Sequence, residues 1–162
     1  MSQTIQEKRV SREQASYFIG KAVTTTNEAE MKGEGVISGQ WASYYQDGVF
    51  ERIPNKKHAG TLAIYTDYQS GETGPYTFAL GAEVSAVEEV PQGMKAYSIP
   101  ASDYVVFTTR TGPVQEIVVE AWQYIWEWSK TNKRAFKTDF ELYDDRCADP
   151  DNSQVDIYIS VK

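Results

Sequence analysis

Apolar and polar positions recur along this chain with two periods. Residues 16–26 (SYFIGKAVTTT) are rich in β-branched and aromatic side chains and predict a strand. Residues 37–46 carry Trp41, Tyr44 and Tyr45 at helical spacing, and Asp47-Gly48 ends that helix. Residues 61–68 (TLAIYTDY) and 76–84 (YTFALGAEV) predict two strands joined by the turn-rich connection 69–75. A further strand lies within 95–110, strongest at 104–109 (YVVFTT). Pro113 then opens a helix that runs to about residue 129, where a missing first-turn N–H costs nothing. In that helix Val114, Ile117, Val118, Ala121, Trp122, Ile125 and Trp128 oppose Glu116, Glu120, Gln123, Glu127 and Lys130, an amphipathic pattern. Residues 138–145 and 155–161 predict the last two strands, separated by an Asp- and Pro-rich turn.

The order is strand, helix, strand, strand, twice. Two pseudo-repeats, at about 15–90 and 95–162, would form one α+β domain. Duplicated βαββ units would build an antiparallel sheet, with both helices on one side and a ligand groove at the join. The polar residues 1–14 are expected to be a flexible N-terminus.

One position breaks the hydrophobic logic. In residues 138–145 side chains alternate across the strand, so Phe140 and Leu142 share one face and Asp139, Glu141 and Tyr143 the other. Glu141 thus sits mid-strand between core-type residues. It is either solvated on an open face, or buried, and then its pKa is raised or it needs a positive partner.

Composition sharpens the second possibility. Aromatic residues make up 13% of the 162, including 11 Tyr and 4 Trp, which suit binding sites as well as cores. Trp41 and Trp122 fit either core packing or a pocket wall, and so do the strand tyrosines Tyr65, Tyr76 and Tyr143. The net charge of −7 disfavours nucleic acid and favours cationic partners. The basic residues Lys130, Lys133, Arg134 and Lys137 fit a helix C-terminus and loop.

A single cysteine, Cys147, gives no internal disulfide, and the single histidine, His58, lies in a loop. Neither supports a catalytic pair or a metal site, and no cofactor is expected. No apolar run approaches membrane-spanning length and no secretory signal opens the chain, so a cytoplasmic protein without a membrane partner is expected.

The segments Ile99-Pro-Ala-Ser-Asp-Tyr-Val-Val-Phe107, Gly112, Trp122, Trp128, Asp139-Phe-Glu-Leu-Tyr-Asp144 and Val155-Asp-Ile-Tyr-Ile159 come in a distinctive order. With Tyr76–Val84 and Gly93-Met94, they make the chain resemble the GyrI-like, or AraC-type, effector-binding family from about residue 10 to the end. The resemblance implies a duplicated βαββ fold. It also implies a pocket for lipophilic cations with aromatic walls and a glutamate floor, which maps to Glu141 with Tyr143 on its face. The form resembled is the stand-alone one carried on integron cassettes, linked to transcription regulation but with no DNA-reading element of its own. The family leaves two alternatives open: a protein–protein inhibitor of DNA gyrase, and a small-molecule hydrolase whose pocket glutamate activates water.

Overall fold

The computed structural model describes residues 5–33, 35–69 and 73–162. The first half runs β1 (Gln6–Arg12), β2 (Ser16–Thr25), α1 (Asn27–Met31), α2 (Ile37–Gln46), α3 (Val49–Arg52), β3 (Thr61–Thr66) and β4 (Tyr76–Val84). The second runs β5 (Lys95–Ile99), β6 (Ser102–Thr108), α4 (Val114–Ser129), β7 (Thr138–Tyr143) and β8 (Asp156–Val161). Both expected βαββ units are present, as β2-α2-β3-β4 and β6-α4-β7-β8.

All eight strands form one antiparallel sheet in the order β1-β6-β8-β7-β3-β4-β2-β5. Exchanging β1 with β5, β2 with β6, β3 with β7 and β4 with β8 reverses this order onto itself. The sheet therefore has a pseudo-twofold axis at the β3–β7 seam, which pairs from Thr61↔Tyr143 to Thr66↔Thr138. The repeat is larger than the pattern of apolar residues suggests, because each half also sends an edge strand across to the other half.

Two expectations are corrected here. Residues 6–12 of the supposed flexible N-terminus form β1, which pairs with β6 from Gln6↔Thr108 to Arg12↔Ser102; residues 1–4 lie outside the described residues. The segment 95–110 holds two strands, β5 and β6, divided at Pro100-Ala101. Short helices α1 and α3 occupy stretches for which the sequence pattern predicts neither helix nor strand. Of the hairpin connection at 69–75, residues 70–72 lie outside the described residues.

The links between the halves fix the curvature. Only residues 13–15 join β1 to β2, and residues 100–101 join β5 to β6, yet each link connects opposite ends of the sheet order. Four Cα steps reach at most about 14 Å, so the sheet must curl until its ends approach. Its inner face buries Phe18, Leu62, Ile64, Ala79, Ile99, Tyr104 and Phe140 with no helical residue among them. The helices pack on the other face. There α2 and α3 cover Ile19, Phe78, Leu80 and Ala82, while Ile117, Ala121 and Ile125 of α4 cover Phe107, Ile157 and Ile159.

The curl needs a close approach of β2 and β4. Gly20 and Gly81 lie directly opposite each other. A Cβ on Gly81 would fall 2.0 Å from the Ile19 carbonyl oxygen and 2.6 Å from the Gly20 Cα. Backbone cannot yield to such an overlap without opening the sheet. Gly81→Ala is expected to lower stability by at least about 1–3 kcal/mol in urea unfolding. Gly39→Ala, where a Cβ meets nothing within 4 Å, should not.

Candidate functional site

β7 lies between β3 and β8, so Glu141 sits beside Ala63 on one strand and Ile157 on the other. Side chains opposite one another in an antiparallel sheet share a face, here the face that carries the helices. Glu141 is 1% exposed. Three neutral groups converge on it. The Tyr65 hydroxyl donates to Oε2 at 2.8 Å, the Trp122 Nε1–H to Oε2 at 2.6 Å, and the Tyr143 hydroxyl to Oε1 at 2.6 Å. No lysine or arginine among the described residues pairs with it. Burial pushes the Glu141 carboxyl pKa up, and the three hydrogen bonds only partly oppose this. The Tyr65 and Tyr143 hydroxyls are driven well above the usual tyrosine range, first by burial and then by the Glu141 charge. Both are therefore held in the protonated, donating form more strongly than a free tyrosine.

Asp139, two residues earlier on the same face, makes the contrast. It is fully buried and is matched from within the chain. Arg134 Nη2 reaches Oδ2 at 2.7 Å, and the Tyr68 hydroxyl donates to the same oxygen at 2.6 Å. The Ser160 backbone N–H and hydroxyl satisfy Oδ1 at 2.8 and 3.0 Å. Of two neighbouring buried carboxylates, one has its guanidinium and the other has only neutral donors.

A groove of about 460 Å³ opens beside them, between α1, α4 and the sheet. Tyr65, Tyr68, Tyr76, Trp122, Trp126 and Phe136 supply its aromatic wall, and Met31, Ile37, Val118 and Val119 its aliphatic parts. The aromatic rings form a continuous ladder. Trp122 meets Tyr65 at 5.2 Å, Tyr65 meets Tyr76 at 5.7 Å, Tyr76 meets Tyr68 at 5.8 Å, and Tyr68 meets Phe136 at 5.3 Å.

Of the residues expected from sequence, Tyr65, Tyr76 and Trp122 line this groove. Glu141 lies directly behind Tyr65 and Trp122, and Tyr143 behind Glu141. Trp41 is corrected. It packs edge-to-face on Tyr143 at 4.8 Å and beside Tyr45 at 5.9 Å, so it backs the site from the far side and does not line the groove. Tyr68, Trp126 and Phe136 were not expected, nor were Glu30 and Arg134, which also line the groove. Trp126 was readable, since 118, 122 and 126 make one helical stripe next to the packed stripe 117, 121 and 125. Phe136 carried no such signal. Its φ of 52° is a left-handed backbone that bulky residues seldom adopt, and there Arg134 stacks over its ring at 4.4 Å.

Residues 11–161 match the family of integron-associated effector-binding proteins, Cass2. The chain belongs to this family. It is 36% identical over 146 residues to the putative transcriptional regulator protein YobU of Bacillus subtilis, covering 90% of this chain and 91% of that one. Its fold is that of an integron cassette protein from the mobile metagenome of Vibrio cholerae, with a TM-score of 0.73, 23% identity, and 98% and 95% of the two chains covered. It is equally that of SAV2435, solved with tetraphenylphosphonium bound, with a TM-score of 0.74, 20% identity, and 100% and 94% covered. No helix of the protein is long and apolar enough to cross a membrane among the described residues.

The Arg134–Asp139 pair is structural support for the groove. Arg134→Met leaves Asp139 buried without its cation and is expected to cost about 3–5 kcal/mol in urea unfolding. Adding Asp139→Asn should recover part of that loss.

Proposed function

We propose that this effector-binding domain takes up amphipathic, lipophilic cations, with Glu141 as the anionic anchor and the Tyr65–Tyr76–Trp122 wall as the stacking surface. The observation that carries this reading is the buried Glu141 carboxylate held by three neutral donors and no cation. A buried charge without a counter-ion is costly, and the chain supplies a guanidinium to its neighbour Asp139 but none to Glu141. A ligand cation completes the arrangement. The cation that gains most is large and weakly hydrated, because it loses little on leaving water. Aromatic faces add about 0.5–2 kcal/mol for each cation–π contact. The tetraphenylphosphonium carried by SAV2435 is a ligand of this chemistry. Binding would serve sequestration of the ligand, or sensing through a partner such as a transcription regulator; the names of the relatives favour the second use.

Hydrolysis by Glu141 has less support. A general base must face a water beside the substrate, whereas this carboxylate faces Tyr65, Trp122 and Tyr143.

The test uses tetraphenylphosphonium, whose charge does not titrate. Glu141→Gln should fold and lose at least about tenfold in affinity by calorimetry, since one decade corresponds to ~1.4 kcal/mol. Unchanged binding would sink the reading. The pH dependence has a fixed sign. Burial raises the Glu141 pKa in the fold, so ionising it costs more there than in the unfolded chain and lowers stability. That group's stabilising share is complete below its unfolded pKa and is lost as pH rises through the folded one. Cation affinity should run the opposite way. It should be high at neutral pH and fall as acid titrates Glu141 above the ordinary glutamate range, with a flat profile in Glu141→Gln. The ligand-free variant should also melt higher than the wild type at pH 7.

A further inference from the structure

The groove carries a second carboxylate that the anchor does not use. Glu30 of α1 lines it. Its Oε2 accepts the Thr25 hydroxyl at 2.7 Å and the Val36 backbone N–H at 2.8 Å. Its Oε1 accepts no hydrogen bond from the described residues, and no lysine or arginine among them pairs with it. The chain wraps this group closely. A Cβ on Gly35 would fall 2.0–2.2 Å from the Glu30 carboxyl atoms, so the carboxyl lies close against the backbone there.

Tyr76 connects the two charges. Its ring lies 5.7 Å from that of Tyr65, whose hydroxyl holds Glu141. Tyr76 and Glu30 both line the groove, and so does Tyr65, so the two carboxylates flank one aromatic wall. Among the described lining residues the one cationic side chain, Arg134, is bound to Asp139 at 2.7 Å. The groove therefore presents two negative charges to a ligand, one behind its aromatic floor and one on its α1 side.

We infer that this groove selects dications: a flat, delocalised cation stacks over Tyr65 and Trp122 toward Glu141, and a second positive centre on the same molecule reaches Glu30. Glu30 is then a specificity-determining residue. This rests on the cation site proposed above and adds to it a class of ligand with two separated charges.

Ethidium and propidium test the inference, because they share a phenanthridinium ring and propidium carries an added quaternary ammonium on a short chain. Both are titrated by fluorescence against the full chain at fixed ionic strength. Propidium is expected to bind the wild type about tenfold more tightly, a factor within reach of one partly screened ion pair. Glu30→Gln keeps an acceptor oxygen for Thr25 and Val36. It should bring propidium to within about twofold of ethidium while leaving ethidium where it was. Glu28→Gln removes the same charge from the exposed face of α1, where Glu28 pairs with Lys32, and should leave the ratio unchanged.

Equal affinity of the two dyes for the wild type overturns the inference. So does a Glu30→Gln variant that weakens both dyes alike or neither, and so does an equal effect of Glu28→Gln. Glu141→Gln separates the two levels. If it weakens ethidium while Glu30→Gln spares propidium, only the dication inference fails. If it leaves ethidium binding intact, the cation site itself fails.

Discussion

A negative charge kept dry without a counter-ion is the constraint around which this protein is arranged. Moving a carboxylate out of water costs several kcal/mol even after relaxation, and an uncompensated one ordinarily takes up a proton. Here two phenols and an indole spread the charge over short hydrogen bonds. Bonds from neutral donors to an ionised acceptor are stronger than neutral pairs, and they hold the side chain in one orientation. They do not cancel the charge. Burial and the carboxylate itself raise the hydroxyl pKa values of Tyr65 and Tyr143, which favours their donating form and supports the cage. What remains is a fixed field pointing through Tyr65 and Trp122 into the groove.

The fold makes that position available. The pseudo-twofold axis runs through the β3–β7 seam, so residues on this seam lie where the two halves meet. β3 contributes Tyr65 and β7 contributes Asp139, Glu141 and Tyr143, all on the helix-bearing face. α4 lies across the same face. Its stripe at 117, 121 and 125 packs on β6 and β8, and the adjacent stripe at 118, 122 and 126 turns toward the groove. One helix thus serves the core with one set of residues and the site with the next. The rolled inner face buries its own apolar residues without help, which leaves every helix free to build the outer face.

Much of this was legible in the chain, and the parts that were not have physical causes. Strand alternation placed Glu141 with Tyr143 on one face and Phe140 with Leu142 on the other, because period two follows from backbone geometry alone. The two βαββ units were legible for the same reason. β1 was hidden because QEKRVSR has almost no apolar residues; a charged edge strand that buries neither face needs none, and such an edge resists further pairing. β5 merged with β6 because only two residues part them. Trp41 and Trp122 occupy similar places on similar helices, and periodicity cannot tell which of them faces the groove. That is set by how each helix rolls on the sheet. Arg134 sat in a basic run that fits a solvated helix end. Its burial depends on Asp139 and on the turn through Phe136, which are tertiary facts.

The contrast between Asp139 and Glu141 also bears on the proposed cation binding, because such a site would discriminate by hydration more than by charge. A small, strongly hydrated cation would have to shed its water to approach a carboxylate enclosed by aromatic rings, and the field of one caged charge does not repay that loss. A guanidinium on the chain, with its fixed fork and its neighbours satisfied, can do so at Asp139. A delocalised organic cation loses little hydration, keeps its charge spread over the faces of Tyr65, Tyr76 and Trp122, and need not touch the carboxylate to feel it. On the proposed reading the aromatic wall is part of the electrostatics: it would keep solvent from screening Glu141 while presenting a surface on which only weakly hydrated cations gain.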